Sequence, residues 1–167
     1  MTANQPLNIL KEAILLERRG KAFYGKVADL AADPAVKEFF DIMAKEEDRH
    51  IELLEKQFAA YVQNQKFEPL SDQDKEARPH AHEVLSDGIK EKISAAEFEA
   101  AAISAAMLME ERAVAFYGDR AKASENPEEE MFYLWLSDWE QGHLSYLAQL
   151  DKELREVVWN DRQFWPF

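Results

Sequence analysis

The chain has 167 residues, with 20 Lys+Arg against 33 Asp+Glu for a net charge of −13, 47% hydrophobic residues and no Cys. Such acidity argues against nucleic acid and anionic membrane surfaces as partners, and the apolar fraction argues against disorder. The lack of Cys excludes disulfides, thiolate metal sites, iron–sulfur clusters and cysteine nucleophiles. No leader-like segment opens the sequence, and no apolar run approaches the ~20 residues of a spanning helix. A cytoplasmic protein is expected.

With only 5 Gly and 6 Pro, the composition favours long helices, and the expected class is all-α. The first helix is predicted at about 6–31, with Leu10, Ala13, Ile14, Glu17, Tyr24, Val27 and Ala28 on one stripe. Asp33-Pro34, a cap followed by a first-turn proline, opens a second helix at about 34–63. Its stripe runs Val36, Phe39, Phe40, Met43, Glu47, His50, Leu54 and Phe58.

Residues 64–94 are polar and contain Pro69, Pro79 and Gly88. They read as a long crossover with a short helix at about 82–92. His80 and His82 are assigned to a solvated loop there. A Ser94/Glu97 capping box marks a third helix at about 95–123, with the stripe Ile103, Ala106, Met107, Glu110, Ala113, Val114 and Tyr117. Asn126-Pro127 opens a fourth at about 127–156, with Phe132, Leu136, Glu140, His143, Leu147, Leu150 and Leu154 inward. Residues 157–167 form an aromatic tail, expected to dock on the bundle or on a partner subunit in a homodimer.

An internal repeat organises these elements. A shift of 93 residues lays 10–57 on 103–150 without a gap, pairing Glu17 with Glu110, Phe23-Tyr24-Gly25 with Phe116-Tyr117-Gly118, Pro34 with Pro127, Glu47 with Glu140 and His50 with His143. The expected architecture over 1–167 is therefore two copies of one helical hairpin, about 7–63 and 95–156, joined by the crossover into a four-helix bundle.

Each apolar stripe is interrupted by acid. Glu17 and Glu110 sit on the first helix of each hairpin, and Glu47-x-x-His50 and Glu140-x-x-His143 on the second. Glu46 also lies one turn from His50, but it aligns with Trp139, whereas Glu47 aligns with Glu140; Glu47 is chosen. The rest of the acidic runs at 46–48 and 128–130 is read mostly as surface charge. Burying one unpaired carboxylate costs several kcal/mol or forces its protonation. Four together require cations, and two divalent metals would balance them. Carboxylates with one imidazole per metal suit iron or manganese. Tyr24 and Tyr117, two turns beyond the helix glutamates, are candidates for holding those carboxylates or for a redox role.

These residues resemble the ferritin-like di-iron carboxylate proteins, in particular the rubrerythrin-related branch, over both hairpins. The resemblance implies a ferritin-like fold holding two Fe ions, with Mn or Zn as substitutes. Glu47 and Glu140 would bridge the metals, Glu17 and Glu110 would each hold one terminally, and His50 and His143 would each cap one. The family's cysteine-ligated rubredoxin centre has no counterpart in this sequence, so an external electron donor is expected. A further glutamate that the family carries one turn after the third-helix ligand is replaced by Ala113, and the matching position in the first helix is Gly20. These small residues are expected to leave room for an exogenous ligand. The implied activity is reduction of peroxide or dioxygen, with peroxide the faster oxidant. Ferroxidase action linked to iron storage or delivery is the alternative, and oxidation of an organic substrate a third.

Overall fold

A computed structural model describes residues 5–76 and 98–160 of the chain. Among these, α1 spans Gln5–Leu30, α2 Pro34–Asn64, α3 Asp72–Glu76, α4 Phe98–Ala123 and α5 Pro127–Asn160, and no strand occurs. The long helices pair as two hairpins, α1 with α2 and α4 with α5, and α1 also meets α4. This is the all-α bundle of two helical hairpins that the periodicity and the repeat predict.

The caps explain where the second helix of each hairpin begins. Asp33 is extended (φ −86°, ψ 130°), and its Oδ1 accepts from the Ala35 amide at 2.9 Å, ahead of Pro34. Asn126 does the same with two amides, Glu128 at 2.9 Å and Glu129 at 3.1 Å. Each satisfies amides that the first helical turn leaves without partners. At the far end of α2, Gln65 turns into the left-handed region at φ 54° and donates its amide to the Tyr61 carbonyl.

Two boundaries differ from expectation. Helix α5 runs on to Asn160, four residues into the stretch read as tail; nothing in 157–160 breaks a helix, and Pro lies only at 166. The crossover also begins with the five-residue α3, which periodicity did not reveal. This stretch is held to the bundle by Gln57, whose amide donates to the Glu68 carbonyl at 2.8 Å while its carbonyl accepts from the Glu68 N–H at 2.9 Å. Phe67 and Leu70 are buried there, and Trp135 donates to the Asp74 carbonyl at 3.0 Å. The helix expected at 82–92, His80, His82, the Ser94/Glu97 capping box and the docking of the aromatic tail lie outside the described residues.

The core is split in two. One apolar cluster gathers Tyr24, Phe39, Phe40, Met43, Ile103, Leu147 and Leu150; the other gathers Leu10, Leu54, Tyr117, Phe132, Tyr133 and Leu136. All four long helices contribute to each. The acidic and imidazole side chains occupy the layer between them.

Candidate metal centre

Every polar residue predicted to face inward does so. Glu17, His50 and His143 are fully buried, and Glu47, Glu110 and Glu140 are at most 3% exposed. They form two nests that share members: Glu17, Glu47, His50 and Glu140 in one, and Glu47, Glu110, Glu140 and His143 in the other. Within each nest, one ligand atom per residue lies within 4.8 Å of all the others.

The geometry follows from the repeat. His50 turns Nδ1 toward the centre, 3.0 Å from Glu17 Oε2, 2.8 Å from Glu140 Oε1 and 3.7 Å from Glu47 Oε2. His143 turns Nδ1 the same way, 3.0 Å from Glu140 Oε2 and 3.8 Å from both Glu47 Oε1 and Glu110 Oε1. Glu140 thus offers one oxygen to each nest, and so does Glu47. Each nest otherwise draws its glutamate and its histidine from a single hairpin.

The tyrosines cross between hairpins. The Tyr24 hydroxyl donates to Glu110, and the Tyr117 hydroxyl donates to Glu17. Each tyrosine therefore holds the carboxylate of the other repeat rather than that of its own helix. The pattern is reinforced by stacking of Tyr24 on Phe40 (6.2 Å, 26°) and of Tyr117 on Tyr133 (6.1 Å, 17°), which are repeat-related pairs.

Burial and crowding set the electrostatics. Desolvation and the charges of Glu140 and Glu17 push Glu47 well above the usual carboxylate range; burial and Glu140 do the same to Glu110. Burial works against both imidazolium forms, but the surrounding carboxylates prevail and raise His50 and His143. Burial likewise opposes the charged form of Glu140, yet the two imidazoles at its oxygens hold it below its ordinary value. Desolvation, added to the adjacent carboxylates, raises both Tyr24 and Tyr117, so each remains a phenol and a donor.

Donors nonetheless run short. The four carboxylates bring eight oxygens, and apart from the carboxyl groups themselves the groups that donate to them among the described residues are two phenols and two ring nitrogens. His50 Nδ1 has at most one proton for Glu17 and Glu140 together, and Glu140 Oε1 accepts no hydrogen bond. Excess buried acceptors of this kind fit cations of oxygen-loving metals better than they fit a hydrogen-bonded core.

A cavity of about 300 Å³ between α1 and α4 reaches this layer. Glu17, Glu47, Glu110 and Glu140 line it together with apolar Leu16, Met109 and Phe116. Gly20 and Ala113 line it as well. At Gly20 the space is taken by the protein itself: a Cβ there would lie 3.2 Å from Glu47 Cδ, so glycine lets that carboxylate rest against α1. Ala113 lines the same cavity, together with the four glutamates.

A model of the rubrerythrin family matches residues 8–151. The chain belongs to the rubrerythrin family. No curated protein and no solved structure matches the chain significantly. Membership gives this rubrerythrin-type bundle its coarse character, that of a di-iron carboxylate fold whose acidic and histidine cluster fits a metal site. No helix among the described residues is long and apolar enough to cross a membrane.

Two acidic residues read as surface charge are in fact buried, Glu46 at 6% and Glu129 at 8% exposure. Glu129 caps locally, accepting from the Ser124 hydroxyl at 3.0 Å. Glu46 reaches across the bundle to within 2.5 Å of His143 Nε2. The repeat hid it, since its counterpart is Trp139. Its spacing of seven from Phe39 and three from Met43 was the available signal, pointing to the edge of the buried stripe.

Proposed function

We propose that the two nests hold a pair of iron ions, with manganese as the alternative, and that the protein reduces peroxide with electrons from an external donor. The sharing of Glu47 and Glu140 carries this reading, because two carboxylates with one oxygen in each nest keep two metals adjacent. Glu17 and Glu110 serve as terminal ligands, and His50 and His143 cap one metal each through Nδ1. When bound, ferrous iron supplies one electron per ion, and two electrons match cleavage of one O–O bond.

The chain's own residues supply the setting for that chemistry. Tyr24 and Tyr117 would fix the terminal carboxylates Glu110 and Glu17 through their hydroxyls, and Glu17 keeps its second oxygen turned to His50. The apolar clusters on either side exclude water from the layer. The α1–α4 cleft gives a small oxidant a path to Glu47 and Glu140 past Leu16, Met109 and Phe116. A homodimer in the cytoplasm, reduced by a separate electron carrier, completes the proposal.

Stopped-flow oxidation of the anaerobic diferrous protein by hydrogen peroxide and dioxygen at matched concentration tests it. Faster reaction with peroxide is the expected result. Faster reaction with dioxygen, together with uptake of many irons per chain, supports ferroxidase and storage action instead. Failure to react with either leaves a structural metal site and rejects the enzymatic reading.

A further inference from the structure

The two histidines present the same nitrogen to the carboxylates but differ at the other. His143 Nε2 lies 2.5 Å from Glu46 Oε2 and 3.2 Å from the Trp139 indole nitrogen. His50 Nε2 has no hydrogen-bond partner. Its ring instead stands edge-to-face against Trp135 (5.9 Å, 82°) and Trp139 (5.4 Å, 89°). Glu46 and Trp139 are related by the 93-residue shift that relates the ligands themselves. The inner residues therefore repeat in identity, although His50 Nδ1 lies 3.0 Å from Glu17 where His143 Nδ1 lies 3.8 Å from Glu110, and one step outside them the identities themselves differ.

That difference has a chemical consequence. A histidine that binds metal through Nδ1 carries its proton on Nε2. An indole N–H can donate only to a bare Nε2, whereas a carboxylate accepts only from a protonated one. The contact to Glu46 is the shorter of the two, and it is the one compatible with Nδ1 as a ligand. A carboxylate on the far nitrogen fixes tautomer and ring orientation and raises the basicity of the coordinating nitrogen, an effect worth roughly 10–100-fold in metal affinity. His50 has no such acceptor, and its Nε2–H would stay buried and unpaired, which is unfavourable. Both effects act in one direction.

We infer that Glu46 is a positioning residue for His143 and that it makes the two metal positions unequal. The position of Glu110 and His143 fills first and retains its ion; the position of Glu17 and His50 fills second and exchanges it more readily. This inference rests on the proposed metal pair. The labile ion then belongs to the first hairpin, although the carboxylate that strengthens the other position also comes from the first hairpin.

The test is calorimetric titration of metal-free protein with Zn²⁺, paired with ¹⁵N-edited spectra of the zinc-loaded form. Wild type should bind in two unequal steps and show one strongly downfield imidazole N–H. Glu46→Gln, close to isosteric, should weaken the tighter step roughly 10–100-fold, leave the other in place and move that N–H upfield. His50→Ala should remove the weaker step and His143→Ala the tighter one; these two variants decide the matter if Glu46→Gln does not fold. Two equal steps in wild type, or a Glu46→Gln titration and spectrum indistinguishable from wild type, overturn the inference while leaving the metal pair intact. Absence of any Zn²⁺ uptake by wild type overturns the proposed function and this inference with it.

Discussion

The two hairpins differ in instructive places. They repeat the inward glutamate, the Glu-x-x-His pair, the tyrosine and its stacked aromatic partner, yet Glu46 faces Trp139 across the repeat and Gly20 faces Ala113. Residues that meet at the shared centre are constrained by one another, because an oxygen displaced from either half leaves both nests short. Residues one layer out answer only to their own surroundings. Gly20 is pressed by Glu47, whereas Ala113 faces the cleft; Glu46 meets an imidazole, whereas Trp139 covers one. A near-symmetric set of candidate ligands thus coexists with two unequal environments.

The comparison is broken most severely at the shared carboxylates. Glu47→Ala or Glu140→Ala should take metal content from about two per chain to well below one, while Glu17→Ala should leave about one. Elemental analysis after reconstitution separates these outcomes. Equal losses in all three would show that the nests do not share ligands. Glu46→Ala should retain nearly full content at saturating metal, since its carboxylate meets a histidine rather than the centre.

The apolar ends offer a second test. Phe39 and Phe132 are repeat-related and fully buried, but they belong to opposite clusters. Truncation of either to Ala should cost about 3–5 kcal/mol in urea unfolding. A much smaller cost at one of them would mean that the bundle is loosely packed at that end.

Metal-free protein should also lose stability as pH rises. Glu47, Glu110, His50 and His143 all have folded values above their ordinary ones, so the folded chain holds protons that the unfolded chain releases. For the histidines the contribution is complete below about pH 6.5 and disappears as pH passes their raised folded values. For the glutamates the folded state is penalised from about pH 4.3 upward. Glu140, lowered in the fold, contributes stability that is complete above about pH 4.3 and lost only on acidification, so it leaves this trend unchanged. Melting temperature of the metal-free form should therefore fall from pH 6 to pH 9, and bound metal should flatten the trend. A rise over that interval would contradict the assigned protonation.

Smaller effects sharpen the outer-layer contrast. Ala113→Glu should fill the cleft and abolish the azide charge-transfer band of the oxidised iron protein, whereas Gly20→Ala should perturb Glu47 and broaden that band without removing it. Persistence of an unaltered band in Ala113→Glu would place the ligand path elsewhere. The least effect is expected at the caps, where Asp33→Ala and Asn126→Ala should each cost about 1 kcal/mol by thermal melting.

The sequence alone determined the four long helices, the repeat and the six inward acid and imidazole side chains, because each is written locally. Proline after a cap starts a helix, stripes at three- and four-residue steps define its buried face, and a 93-residue shift identifies equivalent positions. What lies across the bundle was not local. That Tyr24 holds Glu110 and Tyr117 holds Glu17, that Glu46 reaches His143, and that Gly20 is pressed by Glu47 all depend on how one hairpin is seated against the other or on how far α1 lies from α2. The physical reason is that a helix fixes the direction of its side chains relative to its own axis, whereas packing fixes which partner each one meets. Only the tertiary structure could turn a symmetric list of ligands into two unequal environments.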